Sequence, residues 1–103
     1  ADADGRALPP SPLVAYLDPG KITPPLCVRT RRPGDRLQPL GLSGEKKLKA
    51  LLMEARIPRE ERDRWPVVCD REGICWVVGV RIAERYKVGP EVKRVLRLEA
   101  ERL

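Results

Sequence analysis

Proline decides what the first part of this chain can become. Eight of the eleven prolines (Pro9, Pro10, Pro12, Pro19, Pro24, Pro25, Pro33 and Pro39) stand before residue 40. Each fixes φ, removes a backbone donor and pushes the residue before it toward extended geometry. This stretch therefore has to be built of short extended pieces and turns. Residues 1–12 are small, polar and Pro-rich and read as a flexible tail or linker, which leaves 13–103 as a single domain. Leu13 to Leu17 reads as a strand stopped by Asp18-Pro19-Gly20. Leu26 to Arg32 alternates, with Leu26, Val28 and Thr30 on an apolar face and Cys27, Arg29 and Arg31 on the other. Pro33-Gly34-Asp35 then breaks that strand in a turn.

Past Pro39 the pattern changes. Leu48, Leu51, Leu52 and Ala55 follow i, i+3, i+4, i+7, which predicts an amphipathic helix over Glu45 to Arg56 with Ser43 as N-cap and a Glu45–Lys49 pair. Pro58 opens a second, short helical turn that Pro66 stops, with Arg59–Asp63 and Glu60–Arg64 spaced to pair. Pro66 to Cys69 and Ile74 to Gly79 form a hairpin around Asp70-Arg71-Glu72-Gly73. Ile74 to Val78 is apolar on both faces and so belongs at the centre of a sheet covered on both sides. The end of the chain is ambiguous, because Val92, Val95 and Leu96 have helical spacing while Leu96, Leu98 and Ala100 alternate. Pattern alone leans to helix.

Composition removes several function classes. Histidine is absent, and with it the commonest general base and the commonest nitrogen ligand for zinc. Cys27, Cys69 and Cys75 are an odd set without a CxxC pair, so they read as small core residues of a reducing compartment, with no metal expected. The longest apolar run, Ile74 to Val78, is far short of the ~20 residues of a membrane span. No signal pattern opens the chain, so a cytoplasmic setting is expected. Every carboxylate has a basic neighbour at turn or helix spacing, and no reaction centre emerges.

What remains is charge. The net charge is +6, and it is concentrated: residues 1–28 carry −1, residues 29–64 carry +5 and residues 65–103 carry +2. A block of this kind points to a polyanion. Arg29-Thr30-Arg31-Arg32-Pro33-Gly34-Asp35-Arg36 is a rigid bend bearing guanidiniums, whose planar donors match phosphate oxygens. Asp35 is read as structural, orienting Arg36, with Arg29, Arg31 and Arg32 outward. Gly41-Leu42-Ser43-Gly44-Glu45-Lys46-Lys47 reads as a loop entering a helix N-terminus, a second place for an anion. It lacks the Walker arrangement, so nucleotide hydrolysis is not expected. Trp76 reads as core and Trp65 as an anchor for the short helix; neither they nor Tyr86 are expected to stack on bases.

The ordered motifs resemble one family. Arg29-Thr30-Arg31-Arg32-Pro33-Gly34-Asp35-Arg36 is followed by Gln38-Pro39-Leu40-Gly41, Gly44 and Lys46-Lys47-Leu48-Lys49. Ile57-Pro58-Arg59-Glu60, Arg62-Asp63-Arg64-Trp65-Pro66 and Trp76-Val77-Val78-Gly79-Val80-Arg81-Ile82 come next. From about Tyr16 to Leu98 this resembles the C-terminal domain of bacterial tRNA(Ile)-lysidine synthetase. It departs from that family at Leu37, where an aromatic is common, and at Leu51-Leu52, where Phe-Phe or similar often stands.

The resemblance implies an α+β fold, a small β-sandwich of unusual topology akin to a domain of the phenylalanyl-tRNA synthetase β chain, with one amphipathic helix and a short helical turn. It implies a terminal strand over Arg94 to Ala100, against the helical lean of the pattern. It implies a tRNA-binding domain of a ligase that uses ATP to join lysine to the wobble cytidine of tRNA(Ile). The catalytic Ser-Gly-Gly-x-Asp-Ser motif of the N-terminal PP-loop domain is missing here, so ATP is expected to belong to that other domain and no cofactor to this one. Arg29, Arg31, Arg32, Arg36, Lys46, Lys47, Lys49 and Arg59 are then the expected tRNA contacts, on the acceptor stem. The expected partners are tRNA(Ile) and the catalytic domain, with a homodimer as a further possibility. The alternative is a protein-interaction module whose basic block docks an acidic surface of its parent enzyme or dimer mate.

Overall fold

The computed structural model describes residues 13–91 and 93–101; the segment expected as a tail lies outside them. In chain order the strands are β1 (Val14–Leu17), β2 (Cys27–Thr30), β3 (Arg36–Leu37), β4 (Lys46–Lys47), β5 (Pro66–Cys69), β6 (Ile74–Val77), β7 (Arg81–Ile82) and β8 (Leu96–Glu99). Two helices, α1 (Leu48–Glu54) and α2 (Arg59–Arg62), fall between β4 and β5. All pairings are antiparallel: a four-stranded sheet β2-β5-β6-β7 and two ribbons, β1-β8 and β3-β4.

The expected hairpin forms the centre. Every residue of β6 is buried, as its two-sided apolar pattern requires. Alternation along β5 and β6 then builds a core on each side of the sheet. Val67, Cys69, Cys75 and Val77 meet Leu37 and the α1 residues Leu48, Leu51 and Leu52. Val68, Trp76 and Val78 meet Ala15, with Leu98 packed against them. The sheet is thus the middle layer, with α1 and β3 on one face and Ala15 and Leu98 of the β1-β8 ribbon on the other, while Leu17 at the end of β1 joins the first core and Leu98 touches both. The final segment is a strand, as the family resemblance implied and the local pattern did not.

Two long-range anchors hold the loops to this body. The Asp70 carboxylate, 7% exposed, closes the hairpin turn by accepting hydrogen bonds from the Glu72 and Gly73 amides at 2.8 and 3.0 Å. It also accepts from the Tyr86 hydroxyl at 2.7 Å and the Thr23 amide at 2.9 Å. Trp65 donates its indole N–H to the Val78 carbonyl at 2.8 Å, which fastens the end of α2 as expected. No described helix is long and apolar enough to cross a membrane.

Three local expectations are corrected. The helix begins at Leu48 and not at Glu45, because Lys46 and Lys47 pair with Leu37 and Arg36 across the β3-β4 ribbon. Ser43 is therefore not the N-cap; Lys47 holds that position without a side-chain bond, and Glu45 pairs with Arg36 and not with Lys49. The apolar face of β2 is also inverted. Val28 is 69% exposed and Arg29 is the partly buried residue. β2 is an edge strand: Val28, opposite Val68, shares the face that the β1-β8 ribbon covers but is left exposed at the sheet edge, while Arg29, opposite Val67, lies on the α1 side. Finally, Cys27 is exposed, while Cys69 and Cys75 are buried.

A candidate nucleic-acid interface

The arginine bend is built on one carboxylate. Pro33 and Gly34, the latter at φ 84°, occupy the corners of a turn closed by Asp35 N–H to the Arg32 carbonyl at 3.1 Å, the residue pattern of a type II turn. Arg29 then donates two parallel hydrogen bonds to Asp35, at 2.9 and 3.1 Å, and the Arg32 amide adds a third at 2.8 Å. Partial burial works to raise the Asp35 carboxyl, but these donors outweigh it and hold the group below the usual carboxylate range. The same pair raises the Arg29 guanidinium, chiefly through the Asp35 hydrogen bonds.

The bend is joined to the helix start by backbone. Leu48 N–H donates to the Asp35 carbonyl at 2.9 Å, so the first helical amide is already used. The neighbouring Gly41 amide donates to the Glu84 carboxylate at 2.9 Å. The expected phosphate cradle over Gly41 to Lys47 is therefore not present; its residues form a turn and a strand.

What this junction does build is a basic depression. Arg31, Pro33, Gly34, Asp35, Arg36, Lys47 and Lys49 line a concavity of about 280 Å³. The pairing of Arg36 with Lys47 across the ribbon brings the two halves of the sequence block together. Arg31 is tethered to Asp63 at the end of α2, which holds the Asp63 carboxyl low, and its Nε is buried with no hydrogen-bond partner. Arg36 reaches Glu45 at 3.4 Å and both side chains stay about half exposed. Lys47 and Lys49 are exposed and make no ion pair among the described residues. With Arg29 and Arg32 there are six cations against Asp35, Glu45 and Asp63, a surplus of three positive charges.

Four of the expected contact residues, Arg31, Arg36, Lys47 and Lys49, thus share one concavity. Arg32 stands exposed in the adjoining turn and Arg59 exposed at the start of α2. Arg29 and Lys46 depart from expectation. Arg29 does not point outward but clasps Asp35, which in turn does not orient Arg36. Lys46 lies across from the buried Leu37 and pairs with Glu54 of α1, so its charge serves the helix. Asp63 was spaced to pair with Arg59 and pairs with Arg31 instead. A larger groove of about 690 Å³, lined by Tyr16, Leu40, Trp76, Val80 and Ile82 among others, shares no residue with the basic depression.

The family model described as "TilS substrate C-terminal domain" matches residues 26–99. The chain belongs to this family. The TilS C-terminal match contains the whole bend, both helices and the four-stranded sheet. Among curated relatives, the tRNA(Ile)-lysidine synthase of Dehalococcoides mccartyi is 46% identical over 95 residues, covering 92% of this chain and 20% of the relative. That of Geobacillus kaustophilus is 54% identical over 66 residues, covering 63% of this chain and 14% of the relative. The chain spans about a fifth or less of the length of these relatives. A crystal structure of a TilS C-terminal domain superposes with a TM-score of 0.76 at 42% identity, over 87% of this chain and 70% of that one. An N-terminal fragment of the phenylalanyl-tRNA synthetase β-subunit from Pyrococcus horikoshii gives 0.71 at 20% identity, over 82% and 26%, a likeness of fold alone. The expected α+β architecture, shared with both, is the one observed.

Proposed function

We propose that this TilS C-terminal domain grips tRNA(Ile), at the acceptor stem, for a tRNA(Ile)-lysidine synthase. In this reading the ATP-dependent joining of lysine to the wobble cytidine, and the catalytic residues for it, belong to the part of the longer protein that this chain does not span. The carrying observation is the convergence of Arg31, Arg36, Lys47 and Lys49 on one depression, from two stretches separated in sequence. A surface of this kind suits A-form RNA, whose major groove is too narrow for side chains, so that contact is to phosphates, 2′-hydroxyls and shape. Arg32, in the adjoining turn, and Arg59, at the start of α2, are both exposed and are assigned as further contacts in this reading, whereas Arg29 acts by holding the bend.

The test is a salt titration of the chain's binding to an acceptor-stem minihelix. Three or four phosphate contacts give a log–log slope of about −2 to −4. A salt-independent affinity would remove the proposal. Reversing Lys47 and Lys49 to Glu should weaken binding at least ~10-fold, while Lys46→Glu, which alters a pair facing α1, should change it less. If both reversals spare RNA binding but break assembly of the longer enzyme, the basic block docks protein instead.

A further inference from the structure

The three thiols are not equivalent. Cys75 is fully buried and Cys69 is 4% exposed, while Cys27 is exposed on the edge strand β2. The β2-β5 register sets Cys27 directly opposite Cys69. Opposed residues of an antiparallel pair project to the same face with Cα atoms ~4.5 or ~5.5 Å apart, and either spacing lies inside the ~4.4–6.8 Å range of disulfides. Cys75 has no such partner, since Cys69 meets Ile74 across the other ladder. Arg29, two residues from Cys27 on the same face of the strand, interacts electrostatically with both sulfurs. Burial pushes the Cys69 thiol up, and the Arg29 charge works against that rise.

We propose that Cys27 and Cys69 form a dithiol that a disulfide oxidant of the glutathione class converts into a cross-strand disulfide. The accessible Cys27 thiolate attacks one sulfur of the oxidant, forming a mixed disulfide and expelling one glutathione thiolate, which takes up the proton Cys27 released. The Cys69 thiolate then attacks the Cys27 sulfur, and the second glutathione leaves with the second proton. Two protein thiols are oxidised and one oxidant disulfide is reduced to two thiols, so protons and electrons balance. The bond would close a loop containing the arginine bend, β3, β4 and both helices. It does not depend on what the basic face binds.

The chain is incubated with oxidised glutathione, denatured under an alkylating reagent and mapped by peptide mass spectrometry. The expected result is a fall from three alkylatable cysteines to one, with Cys75 the survivor, a Cys27–Cys69 linked peptide and no retained glutathione. Cys27→Ser, an exposed edge substitution, should keep both remaining thiols alkylatable. Glutathione held on Cys27 with Cys69 still free, a link through Cys75, or no loss of thiols would each overturn the proposal.

Discussion

Asp70 shows how much one side chain can decide. Four donors converge on its carboxylate, and although burial works to raise it, those donors outweigh burial and hold it below the usual carboxylate range. Asp70→Asn keeps the size but turns an acceptor into a donor facing donors. It should cost about 2–4 kcal/mol, read from urea denaturation. The sign of the pH dependence follows: a depressed folded value adds stability above the ordinary carboxyl value of about 4, lost as pH falls through the folded value. Denaturation midpoints should therefore be level near neutrality and drop below about pH 4, with a shallower drop in the Asn variant. Asp35 makes an opposite prediction to simple charge counting. Removing an acid from a basic face should strengthen RNA binding, but Asp35→Ala also frees Arg29 and unties the turn. Affinity for the minihelix is expected to fall about 3- to 10-fold; a rise would show that the bend is held by other means.

At the scale of elements, legibility in the sequence tracked the range of the interactions. The β5-β6 hairpin was readable because its turn, its alternation and its two-sided burial are all local. The start of α1 was not, because Lys46 and Lys47 are drawn into a ribbon by Arg36 and Leu37, residues the helical pattern does not contain. β2 misled for a similar reason: its apolar face depends on what covers the sheet edge, and the Arg29–Asp35 clasp draws the charged residue inward. β8 is a strand only because β1 waits for it. The cationic block was readable as composition, but its division into residues that line the depression and one that clasps Asp35 depended on pairings across the fold. Within α1, Leu48 and Leu52 are fully buried, and Leu52→Ala should cost about 2–5 kcal/mol in an equilibrium unfolding experiment. Leu48→Ala should cost a similar amount but leave RNA binding of the folded domain little changed, since its backbone amide still reaches the Asp35 carbonyl.

Across the whole molecule, the layers are held by partners distant in sequence, and the β1-β8 ribbon joins the first described strand to the last. It covers the Val68, Trp76 and Val78 face of the sheet. Ending the chain before β8 would strip Leu98 from that face and leave β1 unpaired. The expected loss is about 2–5 kcal/mol, visible as an earlier thermal transition. The ribbon's antiparallel register, Val14 opposite Glu99 through Leu17 opposite Leu96, also has a mechanical meaning. Tension between residues 13 and 101 enters at one end of the ribbon and would unzip its rungs singly, while the central sheet carries none of the load until the zipper is open. Stretched from its two ends, this body would yield at the seam and keep its arginine bend intact.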